Sequence, residues 1–236
     1  MPSDIVLAAD VPILRMQSQN MKPEAQRVRT RFETATLGQA FTAEWAEIDV
    51  DHADVAAALM PHARCADLIV ASQADPDWPF SYLYDVPERL VIESGRPVLL
   101  VPYTGEYDTV GERVLIAWND RREASRAVFA ALPLMSGARQ VRVLWINPGR
   151  DGVPAVDVPT AEIAHALARH GIQATAAVSV APGMDVGSEL LSRAADVGAD
   201  LLVMGGYGHT RLREFVLGGA TRTILESMTL PVLMSH

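Results

Sequence analysis

The sequence predicts an α/β protein that contains two doubly wound, parallel sheets in tandem. The first observation is an internal repeat: residues 66–70 (ADLIV) return 133 residues later as residues 199–203 (ADLLV). Residues 97–100 (PVLL) return as residues 231–234 (PVLM) at nearly the same spacing, which indicates a duplication. Each of these apolar runs is short and bounded by turn residues, which is typical of strands buried on both faces of a parallel sheet.

The second half of the chain shows a complete alternation of strand and helix patterns. Short apolar runs predict five strands, at residues 113–118, 141–146, 174–180, 201–204 and 232–235. Helical spacing of apolar residues predicts four helices between them, at residues 122–132, 160–170, 189–197 and 221–227. Thr160 is a suitable N-cap for the second of these helices. Because helices connect parallel strands, this order predicts a five-stranded doubly wound sheet.

The first half repeats only the later part of this pattern. A counterpart of the strand at residue 113 would fall upstream of Met1, so the repeat is shortened at its N-terminus. We therefore expect a degenerate repeat over residues 1–103 and a complete domain over residues 112–236, joined by a polar linker. The predicted elements of the first half are helices at residues 23–37, 54–64 and 87–94 and strands at residues 42–48, 68–71 and 98–101.

The missing front of the first half should leave strand edges without a partner, which is costly if the edges are buried. Residues 4–14, with the apolar run 5–9, could fold into the gap. Alternatively, the second half or another chain covers the gap, or the true start lies upstream of Met1. We expect a less stable first half that packs on the second, as a homodimer or an intrachain pseudo-dimer.

Composition excludes several classes of partner. A formal net charge of -9 and a pI near 5.1 disfavour broad attraction to nucleic acid or to anionic membranes. Cys65 is the single cysteine, so no intrachain disulfide can form, and we expect it to be a small core residue. No apolar run approaches the roughly 18 residues of a membrane span, and a signal peptide is not evident. These observations predict a cytoplasmic protein.

A glycine-bearing loop after the fourth strand of the second half is the best candidate for a binding site. Gly205, Gly208 and Gly218 are spaced as Gly-x2-Gly-x9-Gly between a predicted strand and a predicted helix. Glycines there let backbone amides approach an anion, and the N-terminus of the next helix faces the same place. Ligands of open α/β sheets bind outside the carboxyl ends of the strands, so the loop is placed to hold phosphate. In the first half, residues 71–80 lack this cradle.

The loop and the closing segment 199–236 resemble the universal stress protein family, over residues 112–236 and more loosely over residues 40–102. The resemblance implies the adenine-nucleotide alpha-hydrolase-like fold and, for a subset of members, binding of ATP. Gly205, Gly208 and Gly218 match the signature glycines, and Thr221 matches the second hydroxyl residue after them. Gly219 stands where the ATP-binding members usually carry serine or threonine, so one phosphate-binding hydroxyl is absent.

Other positions of the family's site are also matched residue by residue. Asn119 stands where the family has an aspartate near the adenosine, and it can accept a hydrogen bond without a charge. Ile146 takes the place of an apolar residue against the adenine, and Met204 precedes the glycine loop. The resemblance implies a stress-response protein that binds ATP or another adenine nucleotide, with Mg²⁺ as its companion ion. The sequence contains no Gly-x-Ser-x-Gly elbow, His-Glu-x-x-His motif or P-loop, so we do not expect an enzyme.

Alternatives remain open at this point. The glycines could serve only a tight turn and close helix packing, and His209, Arg211 and Arg213 could be solvated side chains instead of phosphate ligands. The protein could be an adapter of the same fold that needs no nucleotide. An enzyme that activates a substrate with ATP would need a phosphate-binding loop rich in serine and glycine after the first strand. Residues 118–121 (WNDR) do not form such a loop.

Overall fold

The computed structural model describes residues 10–48, 50, 54–78, 85–147, 160–207 and 219–236. The helices in these ranges are α1 (Asp10–Thr36), α2 (Val55–Ala63), α3 (Val86–Glu93), α4 (Arg122–Ala130), α5 (Leu132–Met135), α6 (Thr160–Arg169), α7 (Val186–Asp196) and α8 (Gly219–Ser227). The strands are β1 (Ile69–Ser72), β2 (Val98–Val101), β3 (Arg113–Ala117), β4 (Gln140–Ile146), β5 (Ala174–Ser179), β6 (Leu201–Gly205) and β7 (Val232–Ser235).

The contacts divide the chain into two compact units, Met1–Asp49 and Val50–His236. The first unit contains α1, which begins well before the helix predicted at residues 23–37 and includes Pro23. Within this unit the rings of Phe32 and Trp45 lie 5.6 Å apart. No helix of the described residues combines the length and the apolar character that a membrane span requires.

The strand predicted at residues 42–48 is wrong, because the chain there is irregular. A strand needs a hydrogen-bonded neighbour. In a doubly wound sheet, the neighbour of the third strand is the second strand. The repeat spacing of 133 places that strand at residues 8–13, and the described part of this segment, from Asp10 on, belongs to α1.

The second unit contains one seven-stranded sheet with the order β1-β2-β7-β6-β3-β4-β5. Strands β3 to β7 are parallel to their neighbours within the second half, so the predicted doubly wound sheet is confirmed. Connections from β3 run outward to β4 and β5 on one side and to β6 and β7 on the other. The strand order therefore reverses between β3 and β6, which is where such sheets bind ligands.

The two halves meet at the pairing of β2 with β7, which is antiparallel. Leu99 pairs with Leu233, and these residues are equivalent in the sequence repeat. Val98 pairs with Met234, and Leu100 pairs with Val232, so the register is symmetric about the central leucine pair. The pairing of β2 with β7 therefore has a local twofold axis that relates equivalent residues of the sequence repeat.

Side chains on the two faces of the sheet form two hydrophobic cores. One core contains residues of α4, α5 and α6 together with alternate strand residues such as Ile116 and Val203. The other contains residues of α2, α3, α7 and α8 together with Leu115 and Leu202. The central strands carry apolar residues on both faces because helices cover both faces.

The edge of β1 that would face the missing first strand pairs with no strand among the described residues. Val70 on this strand is 62% exposed. The second half therefore supports the first through β2, at the side opposite to the gap. Of the segment 4–14, which could have filled the gap, residues 4–9 lie outside the described residues, and residues 10–14 belong to helix α1 and not to a strand.

Most local predictions for the helices are confirmed, with three differences. Thr160 is the first helical residue of α6 and not its cap, and the chain continues past Pro133 as the short helix α5. Cys65, expected in the core, is exposed because it follows directly on the C-cap of α2, in a turn at the surface. Pro61 lies inside α2, which ends at Ala63.

Asp200, at the start of β6, holds the linker between the halves against the sheet. Its carboxylate accepts four hydrogen bonds over distances of 2.8 to 3.2 Å. The donors are the hydroxyl of Thr109 and the backbone N–H groups of Gly111, Glu112 and Arg113. A single side chain therefore fixes where β3 enters the sheet.

We expect Asp200→Ala to lower the free energy of unfolding by about 2 kcal/mol, because backbone N–H groups lose a charged acceptor. Asp67 stands at the equivalent position of the repeat, and the described residues offer its carboxylate no hydrogen-bond partner. Asp67→Ala is therefore a matched control, expected to change the stability by less than about 0.5 kcal/mol. Urea unfolding followed by circular dichroism measures both values. Equal losses in the two variants would contradict this role of Asp200.

Candidate functional site

A cavity of about 730 Å³ lies at the carboxyl ends of the central strands, where the strand order reverses. The ends of β3, β4 and β6 form its floor, and the N-termini of α7 and α8 form its rim. The described lining residues are Ala117, Trp118, Asn119, Arg121, Leu144, Trp145, Ile146, Asn147, Gly183, Met184, Asp185, Val186, Leu190, Met204, Gly205, Gly219, Ala220 and Thr221.

Six of the eight residues predicted for the site line this cavity. They come from three strand ends and one helix N-terminus, and they are Asn119, Ile146, Met204, Gly205, Gly219 and Thr221. Gly208 and Gly218 lie outside the described residues, as do His209, Arg211 and Arg213. The fold therefore brings together residues that are as much as 102 positions apart in the sequence.

Gly205 lets the end of β6 approach the first turn of α4. A Cβ atom at this position would lie 2.5 Å from the backbone nitrogen of Ala124 and 2.6 Å from the carbonyl carbon of Glu123. Distances this short to backbone atoms do not occur without movement of the chain. Gly205 is thus required for packing, whatever else it does at the cavity.

Gly219, the first residue of α8, has a different environment. A Cβ atom there would meet only the Oδ1 atom of Asp185, at an ordinary contact distance of 3.5 Å. Packing among the described residues does not require a glycine at this position. The described residues therefore leave room for a small side chain at Gly219.

Thr221 is buried, with 4% of its surface exposed, and its hydroxyl already has a structural partner. The backbone N–H of Tyr207 donates to its Oγ1 atom at 3.3 Å, which ties the loop after β6 to α8. Tyr207 has a positive φ of 57°. Burial, together with the nearby charge of Glu88, raises the pKa of its phenol, so this side chain stays neutral.

Asn119 turns the chain from β3 into α4. Its Oδ1 atom accepts a hydrogen bond of 3.2 Å from the backbone N–H of Arg121, so part of its acceptor capacity is used locally. The side-chain amide of Asn119 remains exposed at the cavity. A ligand can therefore receive a hydrogen bond from this amide.

Asn147 and Asp185 line the cavity, although the sequence analysis did not predict them as site residues. Asn147 follows β4, and its side chain both accepts a hydrogen bond from the N–H of Ala181 and donates to the carbonyl of the same residue. Asp185 precedes α7 and caps it through the N–H of Ser188. Both residues lie just beyond the end of a parallel strand, so the rule on carboxyl ends could have identified them.

Trp118 contributes a buried polar group to the cavity wall. The side chain is 8% exposed, and the described residues provide no acceptor for its indole N–H. Buried donors usually have a partner in folded proteins. The indole nitrogen has almost no accessible surface, so a molecule in the cavity cannot reach this N–H unless the side chain moves.

Two charged side chains of opposite sign line the described part of the cavity, Arg121 and Asp185. Behind the rim, the buried Glu189 accepts hydrogen bonds from the hydroxyl of Ser179 at 2.5 Å and from Arg193 at 2.7 Å. The Ser179 hydrogen bond, followed by the contact with Arg193, holds the pKa of Glu189 below its usual value. The hydrogen bond from Ser179 ties the first turn of α7 to the end of β5.

Comparison with solved structures identifies the same fold. A universal stress protein from Archaeoglobus fulgidus aligns over 100% of this chain and 83% of its own length, with a TM-score of 0.64 and 16% identity. A functionally unknown protein from Pseudomonas aeruginosa aligns over 92% of this chain and 77% of its own, with a TM-score of 0.54 and 19% identity. At these identities the likeness concerns the fold alone.

Sequence comparison gives the family. A curated universal stress protein of Methanocaldococcus jannaschii is 37% identical over 46 residues, which are 20% of this chain and 28% of that protein. The match thus spans less than a third of the relative. The model of the universal stress protein family matches residues 113–236, which include β3 to β7 and the whole described cavity wall. The chain therefore belongs to the universal stress protein family.

Proposed function

We propose that this protein acts in the stress response by binding ATP or another adenine nucleotide as a regulatory ligand in the second half. The observation that carries the proposal is the cavity at the reversal of strand order, lined by six residues that the sequence assigned to a nucleotide site. Its volume of about 730 Å³ lies in the usual range for small-molecule and cofactor sites.

The chemistry of the wall suits a purine nucleotide. Ile146 and Met204 offer apolar surface on which a base can lie. The exposed amide of Asn119 is available as a hydrogen-bond donor to base or ribose. The N-terminus of α8 begins at Gly219, and free N–H groups of a helix N-terminus attract phosphate.

We propose binding without hydrolysis as the working state. A Mg²⁺ ion with the nucleotide would be held mainly by the phosphates, because Asp185 is the single carboxylate in the described wall. The described residues contain no cluster of three acidic, histidine or cysteine side chains that could hold a metal alone. Product analysis after incubation with ATP tests the absence of turnover.

Blocking the cavity should abolish nucleotide binding. Ala117 is partly buried at the end of β3, so Ala117→Phe places a ring in the space of the ligand. We expect at least about a tenfold rise in Kd, which corresponds to about 1.4 kcal/mol. Calorimetric titration with ATP and AMP measures the change.

The matched control is Val178→Phe, which adds the same ring to the edge strand β5. Val178 is 48% exposed and does not line the cavity. This variant should bind like the wild type. If the Ala117→Phe variant binds nucleotide as tightly as the wild type, the nucleotide site does not lie in this cavity.

A second candidate function is that of a nucleotide-independent adapter. Three of the residues predicted to bind the nucleotide already have structural roles. Gly205 packs on α4, and Thr221 and Asn119 accept hydrogen bonds from the backbone N–H groups of Tyr207 and Arg121. An adapter would keep these residues for the fold and leave the cavity without a ligand. Failure of the wild type to bind any adenine nucleotide would favour this function.

We also propose that residues 1–103 and 112–236 are two repeats of the same domain that form an intrachain pseudo-dimer in the cytoplasm. The symmetric pairing of Leu99 with Leu233 supports this arrangement. The order helix, strand, helix, strand from α2 to β2 matches that from α7 to β7, which supports it further. A homodimer of whole chains is the alternative, and sedimentation velocity distinguishes the two.

A further inference from the structure

The N-termini of α7 and α8 are in direct backbone contact at the rim of the cavity. A Cβ atom at Gly187 would lie 2.9 Å from the carbonyl oxygen of Ala220 and 2.6 Å from the Cβ of Thr223. Two positive helix ends therefore converge on one place. Such a place attracts negative charge.

The chain places its own carboxylate there. The Oδ2 atom of Asp185 accepts a hydrogen bond of 3.0 Å from the backbone N–H of Ser188, in the first turn of α7. Its Oδ1 atom points toward the start of α8, 3.5 Å from the position of a Cβ on Gly219. The carboxylate thus faces both helix ends, and it lines the cavity.

The negative charge of this carboxylate would repel a polyphosphate bound at the same helix end. Within the described wall, only Arg121 carries a compensating charge, and it lies at the start of α4, on another side of the cavity. Asp185 is exposed to solvent, so the repulsion is reduced by water and salt. A ligand whose negative charge is small or absent avoids most of this repulsion.

We propose that Asp185 sets the charge preference of the cavity, so that the site takes an adenine nucleoside with at most one phosphate in preference to a nucleoside triphosphate. The inference rests on the proposed function, because it concerns the same cavity. It adds the class of ligand and a residue that determines it. Asp185 acts here through its charge and not through its capping hydrogen bond.

Asp185→Asn separates these two roles, since asparagine is as good an N-cap as aspartate. Titration calorimetry with adenosine, AMP and ATP at low salt in the presence of EDTA measures the effect. In the wild type, ATP should bind roughly tenfold more weakly than AMP, and in the Asp185→Asn variant this difference should largely disappear. Adenosine should bind both proteins alike, and the difference between the proteins should shrink as salt is added.

The matched control is Asp120→Asn. Asp120 lies one residue after Asn119, is exposed and does not line the cavity, and its φ of 57° is tolerated by asparagine. This variant should bind all three ligands like the wild type. An equal gain in ATP affinity from Asp120→Asn would show a general charge effect and overturn the role of Asp185.

Other results separate the inference from the proposed function. Tight ATP binding by the wild type, or no change in Asp185→Asn, would overturn the inference alone. Loss of ATP affinity in Asp185→Asn when Mg²⁺ replaces EDTA would also overturn it, because Asp185 would then be a metal ligand. Absence of binding of adenosine, AMP and ATP to the wild type would overturn the proposed function, and the inference with it.

Discussion

Gly205→Ala should destabilise the protein by about 3 kcal/mol, although it adds a single methyl group. The new Cβ would lie 2.5 Å from the backbone nitrogen of Ala124 and 2.6 Å from the carbonyl carbon of Glu123. Backbone atoms cannot rotate away as a side-chain tip can, so α4 would have to move from β6. The first turn of α4 is buried at Glu123 and Ala124, which makes that movement costly. Chemical unfolding of the variant measures the loss.

Gly219→Ala is the control for this variant, because among the described residues the added Cβ meets the carboxylate of Asp185 alone, at 3.5 Å. Its stability should stay within about 0.5 kcal/mol of the wild type. The pair therefore distinguishes a glycine that is needed for packing from one that leaves space at the cavity. Comparable losses in both variants would contradict this distinction.

The fragment 106–236 should fold on its own, and the fragment 1–105 should not. The fragment 106–236 retains a five-stranded sheet with helices on both faces. It also retains the hydrogen bonds that Asp200 accepts from the residues before β3. The second retains the pair β1–β2, and a two-stranded sheet is marginal in water. Leu99 also loses the core that it shares with Leu233. Thermal unfolding followed by circular dichroism should show a cooperative transition for 106–236 only.

The fragment 106–236 should also dimerise, because removal of β2 exposes the edge of β7. The symmetric register about Leu233 lets a second β7 take the place of β2. Sedimentation velocity should give a dimer for this fragment. A stable, cooperatively unfolding monomer of residues 1–105 would show that the first half does not depend on the second.

The sequence predicted the second half almost element by element. Buried parallel strands appear in the sequence as short apolar runs. For the strand at residues 232–235, the predicted first and last residues agree with the structure. Boundaries elsewhere shifted by a few residues, as at α7, which begins at Val186 because Asp185 caps it. The strand predicted at 42–48 failed for a different reason: its β pattern is local, but a ladder needs a neighbouring strand. The segment equivalent to that neighbour, residues 8–13, is helical in its described part, which belongs to α1.

The sequence by itself determined the fold class, the repeat and the strand ends at which a ligand would be bound, because periodicity and turn residues are local properties of the chain. Only the tertiary structure decided which of these two glycines packing requires: Gly205 meets Glu123, 82 positions away, whereas Gly219 has only an ordinary contact with Asp185 among the described residues. The tertiary structure alone also brought Asp185 to the start of α8 and joined β2 to β7. These contacts depend on how close two distant segments approach each other, and no local pattern records that distance.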